Sequence, residues 1–185
     1  MQTIIISGLP AVGKTVVAAE VAKSLKVKML NAGDLLEKAS PDALHHGTAW
    51  WDTKAGIKFL KYRSANQEFD RTLDRKLVNI IKKGNLVVTS YTAPWLSSQG
   101  YKVWLSASLQ TRARRMSKRD KISISESEKV IRERDKYNYK LYMKLYGIEF
   151  GKDKSPFNLV INTSRLSVKK VAAIILKHFS ANQRQ

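Results

Sequence analysis

Two hydrophobic rhythms alternate along the chain. Short, β-branched runs at residues 3–7, 26–30, 86–90, 101–105 and 157–161 read as buried parallel strands. Between them the apolar positions recur every three to four residues. Behind the first strand, Val16, Val17, Ala18, Val21, Ala22 and Leu25 make one helical face, with Lys23 and Lys26 on the other. Over residues 66–83 the stripe is Phe69, Leu73, Leu77, Ile80 and Ile81, while Asp70, Arg71, Asp74, Arg75 and Lys76 fill the polar side. Lys82, Lys83 and Gly84 then supply the cations and the glycine that end a helix. A basic helix follows at 109–121. A longer one carries Val130, Ile131, Tyr137, Tyr139, Leu141, Tyr142 and Leu145 to a stop at Gly147, and a last one starts at Ser167. Ser125 with Glu128 suggests a capping box for the long helix, and Asp34 suggests a cap for a helix after the second strand.

Strands alternating with helices predict an α/β fold, a five-stranded parallel sheet in a single domain over residues 1–185. Ligands of such sheets lie off the carboxyl ends of the strands. Two excursions, residues 31–66 and 115–134, would then sit above that edge. The first is poorly periodic over 40–66. Ser40-Pro41-Asp42 marks a helix start, and His45-His46, Trp50-Trp51 and Tyr62-Arg63 follow without a clean stripe. Adjacent histidines cannot face one metal from a helix, and no cysteine or acidic cluster joins them, so no zinc site is expected there.

The turn after the first strand changes the picture from fold to chemistry. Gly8-Leu9-Pro10-Ala11-Val12-Gly13-Lys14-Thr15 fits G-x-x-x-x-G-K-[ST] without a gap, between a strand and a helix as that motif requires. Glycines let backbone N–H groups converge on phosphate oxygens, and the helix N-terminus adds its positive dipole end. Gly8, Leu9, Pro10, Ala11, Val12, Gly13, Lys14, Thr15 and Val16 are therefore the candidate ATP-binding residues. Lys14 would reach the β- and γ-phosphates and Thr15 would ligate Mg²⁺, which makes the fold a P-loop NTPase three-layer architecture.

Composition adds one unusual number, a formal net charge of +19 over 185 residues. Residues 1–100 carry 14 Lys/Arg against 8 Asp/Glu, and residues 101–185 carry 20 against 7. Polyanionic phosphate substrates, a nucleic-acid surface and a solvated lysine-rich exterior all fit such a bias. No RRM, KH or zinc pattern accompanies it, so a nucleic-acid partner rests on charge alone. The chain has no cysteine, hence no disulfide framework, and no segment of membrane-spanning apolar length. A soluble, cytoplasmic monomer is the expectation. The basic stretch bridging two helices reads as a lid. Phosphoryl transfer asks for two anions held in line, and arginine forks grip phosphate oxygens in pairs.

The sequence resembles the archaeal cytidylate kinases, within the nucleoside monophosphate kinases. The resemblance is carried by residues 8–15, Ala32-Gly33-Asp34, Asp70-Arg71-Thr72-Leu73-Asp74-Arg75-Lys76-Leu77, Arg119-Asp120-Lys121-Ile122-Ser123, Tyr146-Gly147-Ile148-Glu149 and Leu159-Val160-Ile161-Asn162-Thr163. It implies transfer of a phosphoryl group from ATP to (d)CMP, giving (d)CDP, with ATP and Mg²⁺ as cofactors. It further implies Lys14, Arg119 and Arg134 as the catalytic cations and Asp34 in the monophosphate pocket. The chain departs from that pattern at Glu37 and Tyr91, where relatives usually carry arginines for the acceptor phosphate. Lys38, Lys61 or Arg63 are the candidate substitutes, and Asp34, Lys38 and Ser90 the candidate acceptor-side residues. An acceptor other than CMP (AMP, UMP or a different alcohol) remains open at this stage, as does a nucleic-acid-associated P-loop ATP-binding protein.

Overall fold

The computed structural model describes residues 1–38 and 54–183. The Ser40-Pro41-Asp42 helix start, His45-His46 and Trp50-Trp51 lie outside the described residues. So do the side chains of Glu37, Lys38 and Lys61.

Five strands form one parallel sheet: β1 (Ile4–Gly8), β2 (Lys28–Asn31), β3 (Leu86–Thr89), β4 (Tyr101–Ser106) and β5 (Leu159–Asn162). Their spatial order is β2-β3-β1-β4-β5, with every neighbouring pair parallel. The first strand is therefore central, fully buried on both faces, and its carboxyl end opens into the glycine loop. Helix α1 (Lys14–Leu25) and the last helix, α8 (Val168–Asn182), pack on one face, where Val17, Val21, Val171, Ile175 and Phe179 meet Ile4, Ile6 and Val103. On the other face α4 (Gln67–Lys82) inserts Leu77 and Ile81 against Ile5 and Val88. The short α2 (Ala32–Lys38) and α3 (Lys54–Ala65) precede it in the chain, and α5 (Ala93–Leu96) forms one turn after β3.

Helices α6 (Leu109–Asp120) and α7 (Ile124–Tyr146) fold back on each other across a three-residue turn. Ala113 and Met116 pack on Ile131, and Lys121 in the left-handed region (φ 56°) lets the chain reverse. The cap of α7 is Ser123, whose side chain accepts from the Glu126 N–H, rather than the expected Ser125. The run Ser123-Ile124-Ser125-Glu126-Ser127-Glu128 allows either frame. The earlier start allows the α7 stripe of Ser127, Ile131, Arg134, Asn138 and Tyr142 to bury.

Three further expectations change for local reasons. Lys26 leaves the second strand to become the left-handed cap of α1 (φ 54°), so β2 begins at Lys28. Val16 faces outward and is 54% exposed, since it lies in the first turn beside the open end of the loop. Asp70, read as part of the polar face of α4, is buried against Arg63.

Candidate functional site

The loop between β1 and α1 owes its shape to two residues. Gly8 has φ 148°, and a methyl group there would overlap the Leu105 carbonyl of the neighbouring strand, so only glycine lets the chain turn this close to β4. Gly13, at φ 98°, is the left-handed N-cap that swings the chain into α1. That helix starts with no side-chain cap and no acidic residue in its first turn. Its first N–H groups and its positive dipole end thus point at the space beyond the loop, an arrangement suited to an anion.

Lys14, at the start of α1, folds back over the loop. Its ammonium donates to the carbonyls of Gly8 (2.9 Å) and Leu9 (2.8 Å) and stands 4.7 Å from the centroid of the Tyr91 ring. Burial pulls its pKa down to about 7, with Arg134, Arg112 and Arg119 pushing the same way and Asp135 opposing them. The side chain as a whole is only partly covered, but the ammonium meets carbonyls and a ring instead of water.

A cavity of about 830 Å³ lies over this end of the sheet. Pro10 through Val16 line one side and Asn31 through Leu36 the other, with Ser90 and Tyr91 on the floor after β3. Gly8 and Leu9 lie behind that lining and contribute the two carbonyls that hold Lys14. The basic helices supply Arg115, Lys118, Arg119 and Arg134 to the same cavity. The structure thus brings Lys14, Thr15, Asp34, Ser90, Arg119 and Arg134 around one space.

Each of these has its own support. Arg134 is 9% exposed, and its Nη2 lies 3.4 Å from the Tyr91 hydroxyl. Arg119 is exposed and bidentate on Asp120 (2.5 and 2.6 Å). Asp34 is exposed in the first turn of α2 and accepts from Asn31 Nδ2 (2.6 Å). The cap of α2 is Asn31, not Asp34: its Oδ1 accepts from the Gly33 N–H and from Thr89 Oγ1. Ser90 is buried, and its hydroxyl accepts from the Ala93 N–H at the start of α5.

Several supporting residues carry no local sequence signal. Arg112 donates to both oxygens of Asp135 (3.0 and 2.6 Å), tying α6 to α7, and to the Pro10 carbonyl at 3.4 Å. Arg115 donates to the Val12 carbonyl and to Thr163, locking α6 to the loop and to the end of β5. Thr163 Oγ1 also donates to Val12 (3.0 Å), so the loop is braced from two elements. On the opposite wall Arg63 pairs with Asp70, both 3% exposed, beside the Tyr142 hydroxyl. That ion pair occupies Arg63, so the guanidinium suggested as a substitute phosphate grip is committed to a carboxylate. Asp74, one turn on, accepts from Tyr146 (2.6 Å) and Thr92 (2.8 Å), and burial raises its pKa.

Among the described residues no group of three or more His, Cys, Asp or Glu could hold a metal by itself. Of the carboxylates lining the cavity, Asp70 is paired with Arg63 and Asp74 accepts from Tyr146 and Thr92, which leaves Asp34, with the Thr15 hydroxyl, as the candidate donors to a cation. Such sparse ligation suits Mg²⁺, which retains several waters and takes phosphate oxygens as its other ligands. No helix among the described residues is long and apolar enough to cross a membrane.

Comparison with known proteins gives the same architecture and a family. The shikimate kinase of Acinetobacter baumannii, solved with shikimate, aligns over 100% of this chain and 96% of its own, with a TM-score of 0.63 at 17% identity. That likeness is one of fold. The cytidylate kinase of Pyrobaculum arsenaticum is 36% identical over 179 residues, covering 94% of this chain and 90% of the relative. The cytidylate kinase of Pyrococcus horikoshii is 34% identical over 173 residues, covering 93% and 85%. The sequence profile of the cytidylate kinase-like family matches residues 3–165, from the first strand to just past the last, and the chain belongs to that family.

Proposed function

We propose that the protein transfers the γ-phosphoryl group of ATP to a nucleoside monophosphate, with CMP or dCMP as the acceptor. The observation that carries this is convergence: Lys14, Arg119 and Arg134 line the same cavity as the uncapped N-terminus of α1 and Asp34. Its volume, about 830 Å³, is near the upper end of ligand pockets and leaves room for more than one small phosphorylated ligand. The relatives' names supply the acceptor.

The roles follow from chemistry. The loop N–H groups and Lys14 hold the β- and γ-phosphates, and the phosphates draw the ammonium away from the Gly8 and Leu9 carbonyls. Thr15, with Asp34 acting through water, would hold Mg²⁺, which supplies charge neutralisation at the phosphates. The transition state spreads charge over the equatorial oxygens, where Arg119 and Arg134 answer it with planar forks. Arg112 and Arg115 position the loop from behind. Helices α6 and α7 cover the reacting groups, which keeps water from competing as acceptor. Asp34 and Ser90 serve the acceptor side, a role the sequence also offers for Lys38.

The test is ADP formation from ATP and Mg²⁺ with CMP, dCMP, UMP, AMP and GMP in parallel. Turnover fastest on CMP or dCMP, and lost in Lys14→Ala, is the expected result. Equal rates on all five, or a rate unaffected by the acceptor, would overturn the assignment.

A further inference from the structure

Helix α7 presents three buried polar residues to the cavity at successive turns: Arg134, Asn138 and Tyr142. The outer two are engaged. Arg134 reaches the Tyr91 hydroxyl, and Tyr142 lies against the Arg63–Asp70 pair. Asn138 differs from both. It is 2% exposed, and its Nδ2 has no hydrogen-bond partner among the described residues. A buried amide donor without a partner is costly, and native chains rarely keep one unless something else uses it.

We infer that Asn138 is an acceptor-binding residue whose side-chain amide donates to a phosphate oxygen of the nucleoside monophosphate. The inference rests on the proposed kinase reading and adds a residue to its site. Position argues for the phosphate. On one side of Asn138 is the cationic pole, where Arg134, Tyr91 and Lys14 stand together. On the other is the acceptor wall, where Arg63 is neutralised by Asp70. A monophosphate bridging from the wall toward the transferring group must place its oxygens between the two. Charge argues for an amide. Three arginines already oppose the ammonium of Lys14, and another cation would discharge it further. A carboxamide adds a donor there without adding charge.

The experiment compares wild type with Asn138→Leu and Asn138→Asp. Leucine keeps the volume and removes the orphaned donor. Aspartate keeps the shape and replaces the donor with an anion. Equilibrium binding of CMP and of ATP is measured separately for each protein, with thermal melting of the nucleotide-free forms. The expected result is a CMP dissociation constant raised about tenfold or more in Asn138→Leu and further in Asn138→Asp. ATP affinity stays within about twofold, and Asn138→Leu melts no lower than wild type. The CMP-to-ATP affinity ratio is the deciding quantity, because general loss of structure would not move it selectively. An unchanged ratio in both variants overturns the inference, whatever the melting temperatures. A wild type that binds CMP without forming CDP defeats the kinase reading alone, and the ratio still judges Asn138. A wild type that binds no CMP overturns both.

Discussion

The ammonium of Lys14 stands 4.7 Å over the ring of Tyr91 while donating to two carbonyls of its own loop. Held there, with a pKa near 7 set by burial and three arginines, it is only partly charged at neutral pH. Phosphate bound there would restore the full charge, so nucleotide association should take up a proton. As pH rises through 7 the free lysine becomes increasingly neutral and must be protonated on binding. The ATP affinity should therefore fall by up to about tenfold per pH unit above 7. Calorimetry at pH 8 in buffers of different ionisation enthalpy should show net uptake approaching one proton, absent in Lys14→Met. Affinity independent of pH between 7 and 9 would contradict this.

The arginines assigned to the transferring group make a different signature. Arg119→Ala and Arg134→Ala should each lower kcat by roughly a thousandfold with little change in ATP affinity. Lysine should rescue either poorly, since it offers a point charge where a fork is used. Single-turnover rates beside ATP binding would separate this from a loss of binding alone.

Arg112 and Asp135 form a bidentate pair whose arginine is 6% exposed. Asp135→Asn should cost about 1.5–3 kcal/mol of stability through the weakened charged bonds. It also removes the anion that supports a charged Lys14, so the lysine pKa should move below 7. ATP binding at neutral pH should weaken in consequence. Denaturant melts and an ATP titration at pH 6 and 7.5 would check both effects, the binding defect being larger at the higher pH.

The Arg63–Asp70 pair is more deeply buried than the other, and removing one partner strands a charge. Asp70→Ala should destabilise by roughly 3–5 kcal/mol, whereas Arg63→Met with Asp70→Leu should recover most of the loss. Equilibrium unfolding of the wild type and the two variants tests this. If Asp70→Ala unfolds like wild type, the pair contributes nothing to stability.

The strands and the glycine loop were readable because their signals are contiguous. A β-branched run and an unbroken G-x-x-x-x-G-K-[ST] need no knowledge of distant residues. The departures come where two local choices compete or where partners are far apart. Ser123 and Ser125 offer equivalent capping frames, and only the buried face of α7 chooses between them. The Arg112–Asp135 bond spans 23 residues and Thr163 to Val12 spans 151, distances over which periodicity says nothing. Asp70 misleads for a related reason: it is polar, so the pattern assigns it outward, and Asn138 carries no local signal at all. Asp70 is buried because Arg63 answers it, and Asn138 lines the cavity.

The most direct test is phosphorus NMR of the wild-type protein with ATP, Mg²⁺ and CMP. CDP resonances should grow in step with ADP, with no inorganic phosphate until CMP is consumed. Appearance of ADP and inorganic phosphate without CDP would contradict this, and would leave a P-loop ATPase whose acceptor is water.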